Sequence, residues 1–96
     1  MADVQQVDEG LIGIKGELVF PEIMKARKQA ERLIAASKGV VNVDFAQVTT
    51  VDSSALSFWF CCLRYSSKIG VTLHAINLPK EMVGIAELVG LEKQFS

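Results

Sequence analysis

Apolar and polar positions along the chain predict seven elements in the order strand, strand, helix, strand, helix, strand, helix. Leu11-Ile12-Gly13-Ile14-Lys15, bounded by Gly10 and Gly16, reads as a strand. Asp3 to Val7 is expected to be a short edge strand before it, with Glu9-Gly10 as the hairpin turn between them. Ile23, Ala26, Ala30, Leu33 and Ile34 then recur at helical spacing, with Lys25, Arg27, Lys28, Glu31 and Arg32 on the other side. This predicts an amphipathic helix over 21–36, opened by Pro21 and Glu22, whose charges read as a solvated face. Lys38-Gly39 ends it, and Val40 to Phe45 reads as a buried strand.

A second helix is expected from the Asp52-Ser53-Ser54 stretch to Lys68 or Ile69, stopped by Gly70. Val71 to Ile76 reads as a strand. Pro79 opens a third helix with Met82, Ile85, Ala86 and Val89 on one stripe and Gly90-Leu91 as its cap. Strands separated by helices require crossover connections, so the fold expected is α/β: a mixed sheet, mostly parallel after an N-terminal hairpin, with helices packed on it. Functional sites in such sheets gather at the carboxyl ends of the strands. Asp44, the Gly16-Glu17-Leu18 turn, the Ile76-Asn77 strand end and Asp52–Ser54 are all expected on that edge.

The second helix carries the sharpest pattern. Asp and Ser suit a helix start, because a side-chain oxygen accepts from free first-turn N–H groups, so Asp52 is expected to cap and Ser53 to sit where anions are favoured. Projected at about 100° per residue, Leu56, Trp59, Phe60 and Leu63 form a core stripe. Phe58, Tyr65 and Ile69, with Cys62 beside them, form a second stripe, and Ser57, Cys61, Arg64 and Lys68 fill the polar sector. A chain this short rarely wraps a helix on every side, so the second stripe is expected to be an exposed docking patch including Phe58 and Tyr65.

Composition narrows the function classes. The 96 residues fit one domain, 1–96, and half of them are hydrophobic, enough for a core. A net charge of −1 gives no long-range attraction to nucleic acid or an anionic membrane. The N-terminal residues lack a signal-peptide pattern and the longest apolar run, Ala55 to Leu63, is too short to span a bilayer, so a cytoplasmic protein is expected. Adjacent Cys61 and Cys62 point about 100° apart on a helix, and with His74 the only histidine no metal site or cofactor is expected. Catalysis is disfavoured for similar reasons. Ser53 as nucleophile would have only His74 as base, and no Gly-x-Ser-x-Gly, Walker or Gly-x-Gly-x-x-Gly sequence is present.

Gly16-Glu17-Leu18, Val43-Asp44-Phe45, Val51-Asp52-Ser53-Ser54-Ala55-Leu56 and Leu88-Val89-Gly90-Leu91 together resemble the STAS domain (sulphate transporter and anti-sigma factor antagonist) across nearly the whole chain. The resemblance implies a non-enzymatic regulatory domain in which the hydroxyl after the Asp, here Ser53, is the contact or phosphorylation position. Anti-sigma antagonists usually read Asp-Ser-Ser-Gly and Gly-Glu-Leu-Asp, where this chain has Ala55 and Val19. Those departures, Asn77-Leu78-Pro79 and the short C-terminus look more like the MlaB branch, small subunits bound to the cytosolic ATPase of a phospholipid-transporting ABC system. The resemblance thus implies a partner bound through Asp52, Ser53, Ser54, Ser57, Phe58, Cys61 and Tyr65, with Asp44 as a supporting acid. That partner is an ABC ATPase, peripheral to the inner membrane, or in the alternative an anti-sigma kinase that phosphorylates Ser53. Self-association of the free domain through the apolar helix face stays open.

Overall fold

Gly10 closes the N-terminal hairpin at φ 71°, a left-handed conformation that L side chains rarely adopt. In the computed structural model, which describes residues 2–88 and 90, β1 (Asp3–Asp8) pairs antiparallel with β2 (Leu11–Leu18). α1 (Glu22–Ala35), β3 (Val40–Val51), α2 (Ser54–Ile69), β4 (Thr72–Ile76) and α3 (Lys80–Leu88) follow. The sheet order is β1-β2-β3-β4, with β3 parallel to both β2 and β4. The order of elements and the mixed, mostly parallel sheet are those expected from the pattern.

Because β2, β3 and β4 step across the sheet in one direction, right-handed crossovers place their connecting helices on the same face. Burial agrees. Val4, Ile12, Ile14, Val41, Val43, Phe45 and Leu73 point into the helical layer and are buried, while Gln5, Lys15, Thr72 and His74 lie exposed on the other face. Val40–Phe45 is thus buried on one side only. α1 contributes Ile23, Ala26, Ala30 and Ile34, and α3 contributes Met82 and Ala86. Phe45 meets the Trp59 indole edge-on, with centroids 5.5 Å apart and planes at 78°. Pro21 stands one place before α1 rather than inside it, across a cis Phe20–Pro21 peptide. Val89 and Leu91, expected to complete the α3 stripe and its cap, lie outside the described residues. Among the described residues no helix is long and apolar enough to cross a membrane.

Two differences from the sequence reading matter for function. First, β3 does not end at Phe45 but runs to Val51, and β2 runs past Lys15 to Leu18. One extra β3 residue is inserted between the pairs Gly13↔Asp44 and Lys15↔Gln47, and another between Gly16↔Val48 and Glu17↔Thr50. These bulges break the period of two that would otherwise mark the strand. Second, Phe58 is core. It is 2% exposed, and Cys62 of the same stripe is equally buried. The stripe expected to face solvent faces α1: Phe58 and Cys61 share a groove with Ile23, Met24 and Arg27. Phe60, Leu63 and Tyr65 are half-buried and packed on the core, and only Ile69 of the second stripe is exposed, at 43%. α2 therefore buries one flank on the sheet and another on α1. It ends at Gly70 (φ 81°), with the Val71 N–H donating to the Ser66 carbonyl at 2.8 Å.

Truncation at such a site leaves a cavity. Phe58→Ala is expected to lose about 3–5 kcal/mol of unfolding free energy in a denaturant titration. A loss within about 0.5 kcal/mol would place the ring at the surface instead.

Candidate functional site

The parallel ends of β2 and β3 bring two chain segments to one corner. The Asp52 N–H donates to the Leu18 carbonyl at 3.3 Å, so the residue after β3 is pinned to the last residue of β2. From there the Asp52 carboxylate accepts three hydrogen bonds. Its Oδ1 takes the Ser54 N–H at 2.9 Å and the Ser54 hydroxyl, and its Oδ2 takes the Phe20 N–H at 3.1 Å across 32 residues of sequence. The side chain so caps α2 and fastens the β2–α1 loop to it. Ser53 already has helical dihedrals (φ −61°, ψ −21°) and so occupies the first helical position behind the Asp52 cap. The Ser54 hydroxyl bond holds the Asp52 carboxyl below its ordinary value; burial opposes it, and the Phe20 and Ser54 backbone donors add to the lowering.

Ser53 itself is exposed at this corner. The next three N–H groups are spoken for: Ser54 donates to Asp52, Ala55 to the Asp52 carbonyl at 3.0 Å and Leu56 to the Ser53 carbonyl at 3.2 Å. An anion on Ser53 would find those donors engaged and the Asp52 carboxylate beside it. The expected anion site at the helix mouth is occupied by the protein's own carboxylate.

Two large apolar residues tied to this corner stand in solvent: Phe20, whose N–H is bound by Asp52, at 68% and Met24, which shares a groove with Ser54, at 61% exposed. Between the starts of α1 and α2 lies a groove of about 120 Å³ lined by Ile23, Met24, Arg27, Ser54, Ser57, Phe58 and Cys61. Ser57 is exposed and Cys61 half-buried on one stripe with Ser53, whereas Phe58 forms the floor. Arg27 Nε pairs with Glu31 at 3.4 Å. Burial pushes the Cys62 thiol up to about 12, with Glu31 and Cys61 adding to the effect, so it stays protonated below the floor. Tyr65 follows twelve residues after Ser53, about 18 Å along the axis at about 1.5 Å per residue, and stands one turn beyond Cys61 at the far end of the groove.

Asp44 does not belong to this corner. Its register partner on β2 is Gly13, five residues before Leu18, or about 16 Å at about 3.3 Å per residue. Its Oδ1 accepts the Ala46 N–H at 2.9 Å and the Asn77 side-chain amide at 3.0 Å, tying β3 to the end of β4. Because β4 stops at Ile76 opposite Asp44 while β3 continues to Val51, the strand ends do not share one edge. His74 is further away. It pairs in register with Asn42, which faces Leu11, seven residues from Leu18 and so about 23 Å. That distance leaves Ser53 without an imidazole base.

Sequence reasoning passed over Phe20 and Met24. The available signal was a large apolar residue off the Ile23–Ala26–Ala30–Ile34 stripe, and another beside a proline in a connecting segment.

No family model matches the sequence, and no curated protein does. Solved structures do match, among them SpoIIAA-type anti-sigma factor antagonists, whose STAS fold this chain shares. The unphosphorylated anti-sigma factor antagonist SpoIIAA superposes with TM-score 0.68 at 16% identity, covering 92% of this chain and 83% of that one. The phosphorylated form of SpoIIAA, the Bacillus cell fate determinant, gives 0.70 at 18% identity over 97% and 86%. A candidate anti-sigma factor antagonist from Thermotoga maritima gives 0.73 at 15% identity over 96% and 80%.

Asp52→Ala removes the acceptor for three donors and is expected to cost about 1–2 kcal/mol of stability in a denaturant titration. Because the folded carboxyl titrates below its unfolded value of 3.8, its contribution is complete above that pH and is lost as the pH falls through the folded value. Thermal melts below pH 4 should therefore fall less steeply for Asp52→Asn than for the wild type. Parallel acid slopes would remove the charge from the account.

Proposed function

We propose that this chain is a non-catalytic regulatory subunit that docks a nucleotide-binding protein at the corner where α1 and α2 begin. The observation that carries the reading is the exposed Ser53 residue, set on the corner where Asp52 ties the Phe20 loop to the start of α2, with exposed Phe20 and Met24 at the start of the neighbouring helix. Aromatic and Met side chains are enriched in interfaces and serve as their anchors, which suits this exposed pair to a partner's pocket. Ser54, Ser57 and Cys61 line the contact and Phe58 supports it from below, with Tyr65 one turn further along α2 and Asp44 about 16 Å from the corner.

The partner we propose is the cytosolic ATPase of an MlaB-type phospholipid-transporting ABC system. Ala55, Asn77-Leu78-Pro79 and the absence of an acid at Val19 support it, for the half-buried Val19 leaves the loop next to Ser53 without the carboxylate of the antagonist pattern. The alternative is an anti-sigma factor antagonist switched by phosphorylation of Ser53. The likeness in fold to both states of SpoIIAA and the accessibility of Ser53 favour it. In either case a phosphate on Ser53 adds about 1.5–2 negative charges next to the Asp52 carboxylate. With the nearby helix donors engaged, that charge projects toward the partner and acts on binding rather than on fold.

Affinity purification from native extract followed by mass spectrometry separates the two: an ABC ATPase supports the leading reading, and an anti-sigma kinase without the ATPase rejects it. With the partner in hand, Ser53→Glu and Phe20→Ser should each weaken binding by about tenfold or more, near 1.4 kcal/mol. Unfolding of both variants should stay cooperative and within about 0.5 kcal/mol of wild type. Unchanged affinity in Phe20→Ser would move the interface elsewhere.

A further inference from the structure

The net charge of −1 conceals a sorted surface. α1 and α2 together carry six cations and two acids, net +4, leaving four cations and nine acids, net −5, on the rest of the chain. α2 contains no acid at all. Of the two acids on α1, Glu31 is engaged by Arg27, and Glu22 lies in the first turn. The other five cations, Lys25, Lys28, Arg32, Arg64 and Lys68, are exposed and make no ion pair among the described residues. At about 100° per residue the three on α1 fall within one sector opposite its buried stripe, and the two on α2 fall opposite Ala55, Cys62 and Ser66. The two helices pack side by side, so these five form one outward face. α3, beyond α2, is mildly acidic, with Glu81 and Glu87 against Lys80.

We propose that this α1–α2 face binds anionic phospholipid surfaces. Clusters of four to eight Lys and Arg on a helical face attract a bilayer with acidic headgroups through the summed potential, and no ion pair here neutralises them first. Two features favour a bilayer over an acidic protein. None of the five cations is among the residues lining the groove between the helix starts, so the charge lies outside the concave surface proposed for the protein partner. And Met24 joins the face at its edge, with Phe20 just before it, two apolar side chains that can enter the headgroup region while the cations stay at its surface. The contact is peripheral and reversible: no helix among the described residues spans a membrane.

Co-sedimentation with phosphatidylcholine vesicles, with and without phosphatidylglycerol, tests this on the isolated chain and needs no protein partner, so its failure leaves the docking proposal untouched. Binding should prefer the anionic vesicles by at least about tenfold at low salt and vanish near 1 M salt, where the Debye length is about 3 Å. Lys28→Glu and Lys15→Glu change the net charge equally, but Lys15 lies on the open sheet face. Lys28→Glu should weaken binding several-fold, and the triple variant K25E/K28E/R32E should abolish it, while Lys15→Glu binds as wild type; circular dichroism confirms that each is folded. Equal binding to both vesicle types, or equal loss in Lys15→Glu and Lys28→Glu, overturns the proposal. So does loss of the ATPase or kinase partner in a triple variant whose parent ignores vesicles, which would reassign the face to an acidic protein.

Discussion

Everything at the functional corner depends on one carboxylate. Asp52 accepts from its own helix and from the Phe20 N–H of a loop 32 residues earlier, so the starts of α1 and α2 are held to each other as well as to the sheet. Hydrogen bonds to an ionised acceptor are stronger than neutral ones, and a negative charge at a helix N-terminus gains further from the dipole. The consequence is geometric. With Asp52 turned to its donors, Ser53 stays exposed and the Phe20 backbone is held at the same carboxylate. A hydroxyl and an aromatic anchor from distant parts of the sequence thus become one rigid feature.

The packing of α2 decides where that feature can be. Both apolar stripes of the helix are used internally, one on the sheet and one on α1, with Phe58 and Cys62 under the α1 contact. Little apolar surface remains along the flank of α2, and the exposed apolar groups near Ser53 come from α1 and the loop before it. The proposed contact therefore lies at the starts of two parallel helices, and the outward faces of the same helices are free to carry cations that make no ion pair among the described residues. The fold separates a contact point, at the helix starts, from a charged surface along their length.

Much of this was legible in the residues. Glycines at positions with positive φ, 10 and 70, marked the hairpin and the end of α2, and the 3.6-residue period of Ile23 to Ile34 marked α1. Asp52-Ser53-Ser54 marked a helix start with an available hydroxyl. Three things were not legible, each for a physical reason. The second half of β3 lost its alternation to two bulges, which hid Val48 to Val51 and put Asp44 on the wrong edge. A helical projection of α2 cannot tell a stripe that meets another helix from one that meets water, so Phe58 was assigned to solvent. Phe20 lies between elements, where periodicity carries no information, and only the long-range bond to Asp52 brings it to Ser53.

The central claim is that the corner held by Asp52 is the docking surface. Hydrogen–deuterium exchange of the chain, alone and bound to the partner recovered from native extract, tests it most directly. Protection on binding should appear in Val19–Met24 and Ser53–Cys61 together, since Asp52 makes them one unit, with the open sheet face unchanged. Protection confined to β1, β4 or the open sheet face, with both corner segments exchanging as in the free chain, would contradict the account.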